Sequence, residues 1–268
     1  MEKPDAPSCA RNREPILAVL REHFTDRRRV LEIGSGTGQH AVFFAAALPH
    51  LVWQATDRPE NLAGIRAWLD EASLPNTLPP FALDVNGGWP RQRFDAVFSA
   101  NTLHIMGWDE VERLFARLPE VMAGDATLVV YGAFNYRGRF TSESNATFDA
   151  WLKEQDPRRG LRDFEAVHDL ADRAGLTLAE DRAMPSNNRC LIWRRERRRA
   201  VCVAQSIPSK AVAGRGSSRP LGQAGRNNAG ERVLPAVIAW VRCAIVQHHC
   251  ERSSPWPLQE PRRNGPAR

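Results

Sequence analysis

The stretch Arg29-Val30-Leu31-Glu32-Ile33-Gly34-Ser35-Gly36-Thr37-Gly38-Gln39-His40 reads as a short buried strand, a glycine-rich turn and the first residues of a helix that continues through Ala41-Val42-Phe43-Phe44. Val30, Leu31 and Ile33 are strand formers. Gly34, Gly36 and Gly38 let the backbone pass through positive φ and approach another molecule closely. The helix that follows directs its first N–H groups at whatever occupies the turn. A hydrophobic strand with an acid near its end, running into G-x-G-x-G, implies a nucleotide-type ligand on a doubly wound sheet.

Working outward, Glu14 to Phe24 carries Ile16, Leu17, Val19 and Leu20 at helical spacing, with Pro15 suited to a first turn. Residues 1–12 are expected to be a mobile arm, and Arg27-Arg28-Arg29 a solvated turn. Downstream, the pattern alternates: a helix from Gln39 to Leu48, a strand from Leu51 to Asp57, a helix from Pro59 to Ala72, and a strand from Leu78 to Asp84. A strand from Phe94 to Ser99, a helix from Trp108 to Met122 and a strand from Ala126 to Tyr131 follow. Helices over 144–155 and 163–174 precede two strands, Gly175 to Asp181 and Arg189 to Trp193. Repeated strand–helix units imply an α/β protein with a mostly parallel sheet and helices on both faces.

Charge divides the chain. Residues 195–268 hold 14 of the 37 Lys/Arg and 4 of the 31 Asp/Glu, a net charge of +10, and the first 194 residues carry −4. The expected division is therefore a globular domain over 1–194 and a basic, Gly/Pro/Arg-rich tail over 195–268, mostly disordered, with one marginal helix around Val233 to Val246. A basic tail beside an acidic domain gives no reason to expect nucleic acid as the domain's partner. The five cysteines (Cys9, Cys190, Cys202, Cys243 and Cys250) have neither metal-type nor disulfide-framework spacing. Met1 to Arg13 does not read as a signal peptide, and no apolar run is long enough to span a bilayer. The expectation is a soluble protein of the reducing cytoplasm, with no metal and no membrane partner; the oligomeric state is left open.

Three acids point the glycine turn toward S-adenosylmethionine. Glu32 lies inside the first strand, where its charge needs a partner, and the cofactor's ammonium would serve. Asp57 ends the second strand, 21 residues after Gly36, where a carboxylate accepts hydrogen bonds from both ribose hydroxyls; the lesser alternative is a cap for the following helix. Asp84 ends the third strand, suited to the adenine amine with Val85 against the ring, or to a turn before Asn86-Gly87-Gly88. With Gly34, Ser35, Gly36, Gly38 and Ser99, these form the candidate cofactor set. An NAD(P) site uses similar logic, but dinucleotide loops usually place a glycine three residues after the second one, where this chain has Gln39.

The segments Arg11-Asn12-Arg13-Glu14-Pro15-Ile16-Leu17, Val30 to Ala41, Leu48-Pro49-His50-Leu51-Val52-Trp53-Gln54, Phe98-Ser99-Ala100-Asn101-Thr102-Leu103-His104-Ile105, Tyr131-Gly132-Ala133-Phe134 and Met184-Pro185-Ser186-Asn187-Asn188-Arg189 resemble the methyltransferase-like family catalogued as domain of unknown function 938. That family lies within the class I S-adenosylmethionine-dependent methyltransferase superfamily, and the resemblance covers residues about 10–194. It implies a Rossmann-like fold with a mostly parallel seven-stranded sheet, closed by a late pair of strands of which the last is inserted antiparallel. It also implies that the loop after the fourth strand faces the transferring methyl. There His104 is a candidate general base, or a structural histidine, and Asn101 a candidate positioning residue. Asn135 and Tyr136, after the fifth strand, are candidate substrate-lining residues, as are Asn187 and Asn188, which with Arg189 form either a lid or a hairpin turn. Arg11, Asn12 and Arg13 either reach an acidic group from the arm or stay exposed. The expected activity is methyl transfer to a small molecule, the alternatives being a non-catalytic binding protein and an oxidoreductase.

Overall fold

The structure, a computed structural model, describes residues 3–196. The elements are α1 (Pro7–His23), β1 (Arg29–Ile33), α2 (Gln39–Ala47), β2 (Val52–Asp57), α3 (Leu62–Ala72), β3 (Thr77–Ala82), β4 (Phe94–Ala100), α4 (Trp108–Val121), β5 (Met122–Gly132), β6 (Phe134–Asn135), α5 (Glu143–Gln155), β7 (Arg162–Asp163), α6 (Phe164–Arg173), β8 (Leu176–Met184) and β9 (Asn188–Arg195). The expectations for the tail beyond Glu196 lie outside the described residues.

Seven strands form one sheet in the order β3-β2-β1-β4-β5-β9-β8. Pairings among β1 to β5 are parallel, and β9 runs antiparallel to both β5 and β8. The late insertion is therefore present, with Val129 opposite Ile192 and Val130 opposite Leu191.

Side chains of a strand alternate between faces, and here both faces are covered by helices. Leu31 and Ile33, Val97, Leu128 and Val130, and Leu191 and Trp193 point to the side packed by α4 and α6. Val30, Ala96 and Phe98, Val129 and Tyr131, and Cys190 and Ile192 point to the side packed by α1, α2 and α3. Near-continuous apolar strands are the consequence, which is why period-two alternation is weak in the sequence.

The structure departs from the sequence reading in four places. The expected mobile arm is largely helical: α1 begins at Pro7, which takes the first-turn position, and Pro15 sits inside the helix. Burial of Ile16, Leu17, Val19 and Leu20 against the α1–α3 side stabilises α1 despite the hydrogen bond lost at Pro15. Strand β3 stops at Ala82, because its partner β2 ends at Asp57, opposite Ala82; Asp84 lies in the turn beyond. Strand β5 starts at Met122, directly after α4, with Met122 opposite Phe94. The short parallel pair β6–β7 was not anticipated.

Phe98 is fully buried, 5.4 Å from the Phe44 ring and 6.0 Å from Trp53 between centroids. Phe98→Ala is expected to destabilise the fold by about 3–5 kcal/mol. Urea unfolding checks this, and an unchanged midpoint would contradict this account of the core.

Candidate functional site

The glycine turn is held at the carboxyl end of β1 by its neighbour. Gly34 N and Ser35 N both donate to the Thr56 carbonyl at 3.0 Å, and Ser35 Oγ accepts from Thr56 N at 3.1 Å. Gly34 has φ +76°, and a Cβ there would lie 2.5 Å from Thr102 Oγ1, so the close approach of the two loops requires glycine. Gly38, at φ +91°, caps α2, and a Cβ there would lie 2.9 Å from the Ile65 Cα.

Beyond the turn lies a cavity of about 460 Å³. On the side of β1, β2 and β3 it is lined by Gly34, Ser35, Gly36, Asp57, Asp84 and Val85. Asp57 is buried; its Oδ1 accepts from Arg58 N at 2.7 Å and Asn61 Nδ2 at 2.8 Å, and its Oδ2 from Gly36 N at 2.7 Å. Oδ2 thus keeps acceptor capacity. Burial raises the Asp57 pKa, against the pull of these hydrogen bonds. Asp84 Oδ1 accepts from Asn86 N at 2.8 Å, so the turn reading of Asp84 is realised at a residue that also lines the cavity.

On the β4 side the lining is Asn101, Thr102, His104, Ile105 and Met106, with Phe148, Trp151 and Leu152 from α5. Asn101 is left-handed (φ +56°), its N–H bound to the Tyr131 carbonyl at 2.8 Å. His104 is buried with its ring 5.2 Å from Phe148; burial, reinforced by Arg162 and Arg159, pushes its pKa down to about 3. The imidazole is neutral at physiological pH.

The amino-terminal residues close the cavity. Pro4, Ala6, Ser8 and Cys9 line it. Trp68 Nε1 donates to the Pro4 carbonyl at 2.8 Å, Ala6 N to Gln39 Oε1 at 2.7 Å, and Gln39 Nε2 to Asp5 Oδ1 at 2.7 Å.

Residues 3–195 match the family described as "Protein of unknown function (DUF938)". The chain belongs to this family. Its structure is also similar to that of a putative O-methyltransferase from Nostoc punctiforme (16% identity, TM-score 0.63, covering 70% of this chain and 57% of that one). An O-methyltransferase family protein from Burkholderia thailandensis matches at 18% identity with TM-score 0.61, covering 71% and 58%. The S-adenosylmethionine-dependent methyltransferase SibL matches at 24% identity with TM-score 0.61, covering 70% and 56%. The chain spans little more than half the length of these structures. The likeness shows that this DUF938 protein has the Rossmann-like class I methyltransferase fold. Among the described residues no helix is long and apolar enough to cross a membrane.

Several sequence candidates do not line the cavity of the DUF938 fold. Glu32 points to the α1–α3 side of the sheet, beneath the turn, where Trp53 Nε1 donates to it at 2.8 Å and supplies the partner that its burial demands. Burial pushes the Glu32 pKa up to about 7, against hydrogen bonds from Trp53 and Ser35. Gly38 caps α2, and Ser99 Oγ donates to the Ile33 carbonyl at 2.8 Å, so both support the turn from behind. Asn135 is drawn into the β6–β7 pair. Tyr136 stacks on Phe164 and donates to Asp181 Oδ2 at 2.7 Å, which Arg189 Nε also reaches through Oδ1 at 2.7 Å. Asn187 lies in the turn between β8 and β9, at φ +57° with its carbonyl accepting from Asn145 Nδ2 at 3.2 Å, and Asn188 opens β9 opposite Met184. Arg11, Asn12 and Arg13 lie in α1 outside the lining, Arg13 over the Phe43 ring.

Cys9, Asn61, Thr102, Phe148 and Trp151 line the cavity and were not foreseen. Phe148 and Trp151 carry no sequence signal beyond helical spacing, which reads as ordinary packing.

The Glu32 shift makes a pH prediction. A carboxyl that holds its proton to about pH 7 when folded, but only to its ordinary value when unfolded, stabilises the fold fully at low pH and loses that contribution as pH rises through 7. Between pH 4.5 and pH 7 the wild type is expected to lose on the order of 3 kcal/mol relative to Glu32→Gln. Chemical denaturation across that range measures it; parallel profiles would contradict the buried, protonated carboxyl.

Proposed function

We propose that this protein binds S-adenosylmethionine in the cavity and transfers its methyl group to a small-molecule acceptor. The observation that carries the reading is Asp57: a buried carboxylate at a strand end, fixed by three hydrogen bonds, with acceptor capacity left on Oδ2 beside the open glycine turn. Such a group suits ribose hydroxyls. Asp84 and Val85 would meet the adenine, and the backbone of Gly34 to Gly36 the rest of the nucleoside. Asp57, Glu60, Asp84 and Glu110 line the cavity against one cationic side chain, Arg58, which is paired with Glu60 at 3.2 Å. An acidic lining favours a cationic ligand.

When bound, the cofactor supplies a methyl group already activated on a sulfonium. The protein's task is then chiefly alignment, for which Asn101 and the neutral His104 are available on the β4 side. His104, whose burial and neighbouring arginines disfavour its protonated form, would accept a hydrogen bond from the incoming nucleophile and hold it in line with the methyl, the proton leaving to solvent.

Calorimetric titration of the full chain with S-adenosylmethionine tests this. Binding is expected, weakened at least about tenfold by Asp57→Ala and less by Asp57→Asn, as for loss of a charge-assisted hydrogen bond. No binding to the wild type would overturn the proposal. Cofactor binding without transfer of labelled methyl to any component of a cell extract would favour the non-catalytic reading.

A further inference from the structure

We propose that the β4 side of the cavity is an acceptor subsite for an uncharged, flat aromatic molecule that presents a hydroxyl to Asn101 and His104. This rests on the methyl-transfer reading above and narrows its acceptor.

Shape is the first argument. Phe148 and Trp151, three residues apart on α5, present one face of that helix to the cavity. Their rings are nearly coplanar in orientation, 6° apart with centroids at 6.0 Å, and both are only half-buried. Ile105, Met106 and Leu152 complete an apolar wall. Parallel aromatic rings lining a cavity favour a flat ring as guest.

Charge is the second. The lining has four carboxylates and only Arg58 as a cation, and Arg58 engages Glu60 at 3.2 Å and Asp84 at 3.8 Å. Arg162, behind the β4 loop, donates to the carbonyls of Leu103, Met106 and Arg158. An anionic acceptor would therefore enter an acidic pocket whose nearby cations already have partners, at a large desolvation cost.

The polar pair is the third. Asn101 Oδ1 and His104 Nδ1 each lie 3.8 Å from the point a Cβ on Gly132 would occupy, so these two polar side chains of the lining gather near the end of β5. Asn101 is held there in a left-handed conformation that Asn tolerates better than most residues. An amide oxygen and a neutral imidazole offer hydrogen-bond acceptors, which match a donating hydroxyl.

The test uses the full chain saturated with S-adenosylhomocysteine and titrated calorimetrically with 2-naphthol and 2-naphthoate. Naphthol is expected to bind at least about tenfold more tightly than naphthoate. Trp151→Ala is expected to weaken naphthol about tenfold, and Trp151→Phe to restore most of it, while affinity for S-adenosylhomocysteine stays unchanged and certifies the fold. Phe148→Ala should behave like Trp151→Ala. Equal or tighter binding of naphthoate, no binding of naphthol, or indifference to both substitutions overturns the subsite. Failure of S-adenosylhomocysteine to bind overturns the cofactor reading instead, and naphthol titrated alone against wild type and Trp151→Ala still decides the subsite.

Discussion

Everything at the site depends on how the turn after β1 is tied to the end of β2. The Thr56 carbonyl receives both Gly34 N and Ser35 N, and Asp57 Oδ2 receives Gly36 N. These bonds turn the backbone away from the sheet and set one wall of the cavity. On the other side of the turn, the absence of a Cβ on Gly34 lets the Thr102 loop close against it. Beneath the turn, Thr56 Oγ1 donates to the Glu32 carbonyl at 2.6 Å, and the Glu32 carboxyl takes the Trp53 indole. The acid thus acts as a polar brace under the turn. A buried carboxyl with a raised pKa carries its proton through much of the range below neutrality, which limits the cost of burying it.

The cavity has two chemical characters because it is built at the junction of two halves of the sheet. Strands β3, β2 and β1 end on one side with carboxylates and backbone N–H groups; β4 ends on the other with an amide, an imidazole and the aromatic face of α5. The first half is polar and anionic, and the second sets an aromatic wall beside two neutral polar side chains. The amino-terminal residues cover the first half, held by Trp68 from α3 and Gln39 from α2. Helices that flank this half of the cavity therefore also hold its cover.

The doubly wound architecture was legible because parallel strands with both faces covered must be apolar and must alternate with helices, and β1, β2, β4 and β5 satisfy this with few polar interruptions. The strand-end positions of Gly34, Gly36 and Asp57 followed from the same rule, since each closes or follows an apolar run. Reading failed where neighbours decide. Strand β3 is cut short by its partner, and the arm is recruited into α1 by a hydrophobic face that only the folded sheet provides. Asn135, Tyr136, Asn187 and Asn188 looked like pocket residues because they follow strands, yet partners in β7, Asp181, Asn145 and the turn carbonyl of Pro185 draw them, in that order, into structural roles.

The sequence by itself determined the class of the fold, the glycine turn and the acids beside it, because turn conformation and strand burial are local demands on residue type. Only the tertiary structure decided which side Glu32 faces, that Phe148 and Trp151 form a wall, and that Asn101 and His104 both lie near Gly132. Those are relations between side chains far apart in the chain, and residue type at one position carries no record of what will be packed opposite it.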